Sequence, residues 1–256
     1  GAKLEILDEN GDLLPEADRY MSSSRAADLE SLESAMEGIG APKWPGYIDA
    51  AASKRGGKLY QENCTSCHDG ARWVAGSRYG ERLKELPLFP LETIGTDPNN
   101  ARSFARTVDA SAIGLGTVTV PEGLAFISSQ ILNKQGATPS RSNDLRAPQA
   151  YRARPLDGIW AAAPYLHNGS VLSINELLGP VSERRTSFKL SVQPELDAKV
   201  LGFVEPAEGF EFDTTQTGNS NAGHEFRDAP ANTKGVIGRA LTEQERSDLI
   251  EYLKTL

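Results

Sequence analysis

In the stretch "RAADLESLESAMEGIG", apolar residues recur at Leu29, Leu32 and Met36. Spacings of three and four predict a helix with one apolar face, stopped by Gly38 and Gly40. On that face Met36 is expected to fill a gap in a core. Upstream, "LEILDENGDLLPE" sets apolar runs on either side of Asn10-Gly11, the pattern of a small hairpin. Downstream, "APKWPGYID" is interrupted by Pro42 and Pro45 and reads as a linker. A boundary near residue 43 follows, with an N-terminal extension or linker over 1–42 and the main domain over 43–256.

The main domain opens with "AAASKRGGKLYQEN", a helical pattern weakened by Gly56 and Gly57 that runs up to Cys64. Further helices are predicted at 99–109, at 121–135 (Leu124, Ile127, Ile131), at 173–179 and at the chain end. The terminal one carries the fullest local signal. In "ALTEQERSDLIEYLKTL", Thr242 and Glu245 form a capping box, and Leu249, Ile250 and Leu253 form the buried stripe. Residues 136–158 and 204–236 are polar and rich in Gly and Pro, without a clear period, and no internal repeat is visible. The pattern predicts a mostly α fold with long loops and minor β hairpins.

Composition narrows the function classes. A chain of 256 residues, 39% apolar and 24% charged, can bury a sizeable core in one or two domains. The net charge of −8 argues against a nucleic-acid footprint, which would be basic. An acidic surface suits either plain solubility or the recruitment of a basic redox partner. The most apolar stretch, "IWAAAPYL", is broken by Pro164 and falls far short of the ~18 residues of a membrane span. The opening "GAKLEILDENGD" lacks the charged-then-apolar layout of a secretion signal.

Chemistry concentrates in "ENCTSCHDG", which holds both cysteines, Cys64 and Cys67, followed directly by His68. C-x-x-C-H is the attachment signature of c-type haem. Two sulfurs reach two vinyl groups on one porphyrin edge, and the next residue then lies under the iron. Three rivals fit less well. A thioredoxin-like pair expects a βαβ setting, whereas the surroundings are helical. A structural zinc site needs four ligands, and the chain has two thiols. A disulfide across two residues would be strained. The expected cofactor is one covalent haem c, with Cys64 and Cys67 consumed as thioethers and His68 as one axial iron ligand. Maturation of this kind implies the bacterial periplasm or another exported compartment. By analogy with cytochrome c folds, the helix entering the motif (Leu59, Tyr60) is expected to cross the terminal helix.

Four residues compete for the other face of the iron: His167, His224, Met21 and Met36. Met36 is assigned to a core, and Met21 in "RYMSSSR" has no apolar pattern around it. His167 falls in "APYLHNGS", among apolar residues and a turn, where a histidine is often a hydrogen-bonded structural residue. His224 falls in "SNAGHEFRD", a polar loop that gives it no packing role. By elimination, His167 and His224 stand level.

The stretch "YRARPLDGIWAAAPYLHNGSVLSINELL" (151–178) resembles the core signature of the di-haem cytochrome c peroxidase superfamily, most of all its rubber-oxygenase-like branch. "ENCTSCH", "IGTDP" (94–98), "GHEF" (223–226) and the ending "IGRALTEQERSDLIEYLKTL" are similar to the same branch. The resemblance spans roughly 43–256 and matches the C-terminal haem half of such proteins, a cytochrome c-like haem domain. It implies axial ligation by His68 and His224, with His167 near the haem but not on the iron. Within the signature, Arg152 and Arg154 are candidates to pair with the haem propionates. Trp160 and Tyr165 would wall the haem or fill the core, and Pro148, Pro155 and Pro164 would stiffen the loop. Asp97 and Asn99 in "TDPNN" read as a turn and helix cap rather than a calcium site.

Two function classes follow. With two strong protein ligands the iron has no open position, and the expectation is electron transfer to a redox partner protein or a second haem domain. The alternative is a haem-dependent peroxidase or oxygenase. The resembling enzymes use two haems and this chain has one C-x-x-C-H. The half it matches stores and relays electrons in that family, so the chain itself is expected to be a relay rather than a catalyst, or the relay domain of a larger di-haem enzyme.

Overall fold

The computed structural model describes residues 4–37, 39–68, 86–138 and 145–256. Gly38, one of the two expected helix stops, lies outside them, as do residues 139–144 of the 136–158 loop. In chain order the helices discussed below are α1 (Ala26–Glu37), α2 (Ala50–Asn63), α3 (Thr65–His68), α4 (Leu91–Ile94), α5 (Asn99–Ala105), α6 (Val120–Lys134), α7 (Ile174–Leu177) and α8 (Glu243–Leu253). Helix accounts for 35% and strand for 17%, so the fold is mostly helical, with strands confined to two-stranded sheets. No helix among the described residues is long and apolar enough to cross a membrane.

The chain divides into two compact units. Among the described residues, the smaller gathers 4–40 and 101–149, and the larger gathers 41–68, 86–100 and 150–256. In the smaller unit the turn at Asn10-Gly11 forms as the sequence predicts, with Gly11 at φ 85°. Its flanks meet only at the bridge Leu7–Leu13, and the strand Leu4–Glu5 pairs instead with Met21–Ser22. Helix α1 also forms, but its apolar face is not in a core. Leu29, Leu32 and Met36 are 54%, 60% and 66% exposed, which overturns the expectation for Met36. The helix expected over 99–109 stops at Ala105. β-Branched Thr107 and Val108 pair with Val118 and Thr119 in a hairpin turned at Gly114 and Gly116. That hairpin leads into α6, which is started by a capping box of Thr119 and Glu122, with Pro121 in its first turn.

The larger unit is organised by α2 and α8. The capping box of Thr242 and Glu245 forms as the sequence predicts, and Leu249, Ile250 and Leu253 are buried. The two helices pack directly, as the cytochrome analogy anticipated. Gly56, which weakens α2 locally, is what lets them meet. A Cβ there would lie 1.9 Å from the Asp248 carbonyl oxygen. One face of the contact is closed by Tyr60 against Tyr252, with ring centroids 5.0 Å apart. On the other, Arg55 holds Asp248 through two bonds of 2.7 Å. Asp49 caps α2 by accepting from the amides of Ala51 and Ala52.

Around this pair the core takes Tyr165, Val171, Ile174, Leu178, Leu201 and Phe226. The helix predicted at 173–179 is a single capped turn, with the Ser173 hydroxyl accepting from the Glu176 amide. The long segment 204–236 is less irregular than its sequence. Phe210–Asp213 pairs antiparallel with Ser187–Leu190, and Glu225–Phe226 pairs parallel with Val236–Gly238.

Candidate functional site

The C-x-x-C-H stretch is one continuous helical turn at the junction of α2 and α3. The amides of Cys67 and His68 both donate to the Cys64 carbonyl, at 3.1 and 2.8 Å. The i, i+3, i+4 spacing puts both sulfurs and the imidazole on one face of that turn. The thiols are not joined to each other. Burial raises the Cys64 thiol to about 12, the reverse of what a thioredoxin-like nucleophile needs. The motif follows directly on a helix, and among the described residues no βαβ unit surrounds it.

His68 is half-buried, and its Nδ1 lies 2.6 Å from the Arg154 carbonyl oxygen. With Nδ1–H donating there, Nε2 is the nitrogen left free. This is the arrangement by which a metal-bound histidine is oriented. Tyr60 donates its hydroxyl to the His68 carbonyl at 3.0 Å, tying the turn back to α2.

Facing His68 is His224. The ring centroids are 6.2 Å apart, with the planes at 58°. His224 is carried by a turn built from three glycines on three segments. A Cβ on Gly223 would fall 2.4 Å from the Gly95 carbonyl carbon, and one on Gly95 would fall 2.7 Å from Gly235 Cα. The strings "IGTDP" and "GHEF", far apart in the chain, are thus packed backbone to backbone, with the His224 amide donating to Ile94 O at 3.2 Å. Gly223 has φ 75° and His224 itself φ 46°, a left-handed conformation that costs a non-glycine residue about 1 kcal/mol.

The electrostatics suit a ligand. Burial, aided by the neighbouring His68, pushes His224 down to about 3, so its imidazole is neutral at ordinary pH, the form that binds a metal. Its Nδ1 is buried and without a hydrogen-bond partner. Burial lowers His68 as well, offset in part by the Arg154 carbonyl.

Do these residues fit a haem? Two imidazoles sharing one metal, each nitrogen about 2 Å from it, place their ring centroids roughly 6 Å apart. The observed separation of 6.2 Å agrees. Both cysteines stand on the same helical turn as His68, where thioether attachment requires them. Cys64, Cys67, His68 and His224 would hold the group, which supplies a one-electron iron centre.

The other expected residues are placed as follows. His167 is exposed and stacks on Tyr151, with centroids 4.1 Å apart at 25°. Tyr151 in turn donates its hydroxyl to the Asp97 carbonyl at 2.7 Å. Arg154 reaches the site through its backbone carbonyl, and a guanidinium nitrogen of Arg152 lies 3.3 Å from Leu86 O. Trp160 packs edge-on against Trp44 and donates to the Pro42 carbonyl. Tyr165 is 4% exposed and belongs to the core. The Asp97 carboxylate accepts from the Asn99 amide at the start of α5, a turn and cap as its sequence suggests. Met21 and Met36 are exposed in the smaller unit.

Sequence reasoning missed Arg184 entirely. This arginine is 5% exposed, and its guanidinium reaches the carbonyls of Asn221, Gly223 and His224. Burial lowers it to about 10, opposed by the nearby carboxylates of Glu225 and Glu176. One of two adjacent arginines in "SERRTS", it carries no periodic or motif signal that could have marked it.

With this geometry in view, comparison with known proteins adds a partial family match. A family model described as RoxA-like, cytochrome c-like matches residues 150–189, a segment that holds both Arg152 and Arg184. A cytochrome c-like segment, in a chain whose two cysteines stand in a C-x-x-C-H motif, indicates a haem protein. Among curated sequences, the chain is similar to the uncharacterized protein y4iJ of Sinorhizobium fredii (strain NBRC 101917 / NGR234). The two are 38% identical over 88% of this chain and 42% of that protein. It is also similar to the uncharacterized protein y4iM of the same strain, at 28% identity over 86% of this chain and 52% of that protein. The chain thus spans about half the length of the curated relatives it matches.

Proposed function

We propose that the larger unit is a c-type cytochrome domain that binds one haem through Cys64 and Cys67, ligates its iron with His68 and His224, and works in electron transfer. The observation that carries this reading is the facing pair of rings, 6.2 Å apart. One ring is oriented by the Arg154 carbonyl, and the other is half-buried and held neutral. Two nitrogen ligands close both faces of the iron, so oxygen or peroxide has no position to bind without displacing a histidine. They also favour a lower potential than a His/Met pair would. The electron partner is a redox protein or a second haem domain, and thioether attachment points to the periplasm or another exported compartment.

A second reading is favoured by the greater length of the relatives. The chain would then be the electron-relay domain of a larger haem-dependent peroxidase or oxygenase. Both readings share the closed bis-histidine site, and one set of measurements tests it. The purified holoprotein should gain the mass of one haem and show low-spin spectra in both oxidation states. His224→Ala should turn the ferric spectrum high-spin, and His167→Ala should leave it low-spin. A high-spin resting wild type that binds cyanide or peroxide at once would refute the closed site. The reverse pattern in the two histidine variants would reassign the ligand to His167.

A further inference from the structure

The two facing histidines are held differently. His68 has an orienting hydrogen bond from its ring to the Arg154 carbonyl. The ring of His224 has none at Nδ1. The ring rests edge-on against Phe226, with centroids 6.3 Å apart, and no hydrogen bond at Nδ1 fixes it. Its aim therefore depends on the backbone that carries it, a left-handed pair with Gly223 at 75° and His224 at 46°.

We propose that Arg184 is the positioning residue of this site, clamping the backbone of the 221–224 turn so that the His224 ring stays opposite His68. This rests on the reading of His224 as the distal ligand. The guanidinium donates from Nη1 to the carbonyls of Asn221 and Gly223, the latter at 2.9 Å, and from Nη2 to the His224 carbonyl at 2.9 Å. Its other edge faces α7, with Nε and Nη2 each 3.4 Å from the carbonyls of Glu176 and Leu177. Those carbonyls lie at the end of a helix, where a cation is favoured, and the Glu176 carbonyl also accepts from the Gly179 amide. The fork thus ties the ligand turn to a capped element of the core. Two successive left-handed residues turn their carbonyls onto one planar donor set, which a lysine ammonium has no geometry to span. Glu176 and Glu225 lie near enough to offset the buried charge while other donors engage them: Arg185 on Glu176, and the Val181 amide and Arg227 on Glu225.

The test uses the full-length holoprotein and two variants. Arg184→Lys keeps the charge and removes the fork, and Arg184→Met removes both. Added imidazole can reach the iron only when His224 swings away, so its binding rate reads how firmly the turn is held. Both variants should bind imidazole roughly tenfold faster than wild type, the factor expected if one charge-assisted hydrogen bond is left unmade. A high-spin fraction should appear in their ferric spectra. A merely structural role would lower the melting temperature and leave spin state and imidazole rate at wild-type values, and that result overturns the proposal. Should Arg184→Met fail to fold, Arg184→Lys carries the test. His224→Ala, run alongside, separates the two levels of the argument. If it is high-spin while the arginine variants behave as wild type, only the clamp is wrong. If it stays low-spin, the assignment of His224 falls and the clamp falls with it.

Discussion

Gly223→Ala isolates the contact that seats the His224 turn on the 94–96 segment. Gly223 has φ 75°, so alanine pays a left-handed penalty of about 1 kcal/mol. The new Cβ would also lie 2.4 Å from both the Gly95 carbonyl carbon and Ile94 O, and 2.5 Å from Thr96 N. All three are backbone atoms, so no side-chain rotation relieves the clash. Overpacking of this kind typically costs about 1–3 kcal/mol. The combined loss is about 3 kcal/mol, which for a chain of this length lowers the melting temperature by roughly 6–12 °C. Gly218→Ala is the control. Its φ is 93°, and a Cβ there meets nothing within 4 Å, so only the backbone penalty applies. The drop there should be roughly 2–4 °C. Thermal unfolding followed by circular dichroism measures both. Because the same shift moves His224, Gly223→Ala should also weaken the low-spin spectrum of the holoprotein, and Gly218→Ala should not. Equal melting temperatures for the two variants would refute the view that the 95/223/235 cluster is a close-packed support.

Two further outcomes follow from the larger unit. Gly56→Ala should part α2 from α8, because its Cβ would sit 1.9 Å from the Asp248 carbonyl. Gly57→Ala should be tolerated better, since its Cβ meets only the Tyr252 ring at 3.1 Å. Comparing the denaturation midpoints of the two variants checks this. Glu245 is held down to about 2, first by Arg239 and then by the Thr242 amide. A depressed carboxylate stabilises above its unfolded pKa, about 4.3, and that contribution is lost as pH falls through the folded value. Melting temperature should therefore fall between about pH 4.5 and 2 more steeply in wild type than in Glu245→Gln. That variant keeps the capping bond but cannot titrate.

Sequence alone determined what depends on near neighbours. The C-x-x-C-H turn, the capping box of Thr242 and Glu245, the buried stripe of α8 and the turn at Gly11 are all set by contacts within about five residues. Their chemistry is therefore written in local spacing. The lone histidines were left as a short contest because elimination says which residues exist and nothing about which face each other. Tertiary structure brought the His224 ring to 6.2 Å from His68 and left His167 stacked on Tyr151. It also showed that Gly56 marks a helix crossing, and that the face of Leu29, Leu32 and Met36 is exposed. Arg184 and Gly235 carried no signal in sequence, and Gly95 and Gly223 entered only inside "IGTDP" and "GHEF" with no role attached, for one physical reason. Each acts through backbone atoms of residues distant in the chain, and a carbonyl or a Cα carries no residue-specific signal to read. The turn that carries His68 was local; the ring that faces His68 was decided by packing.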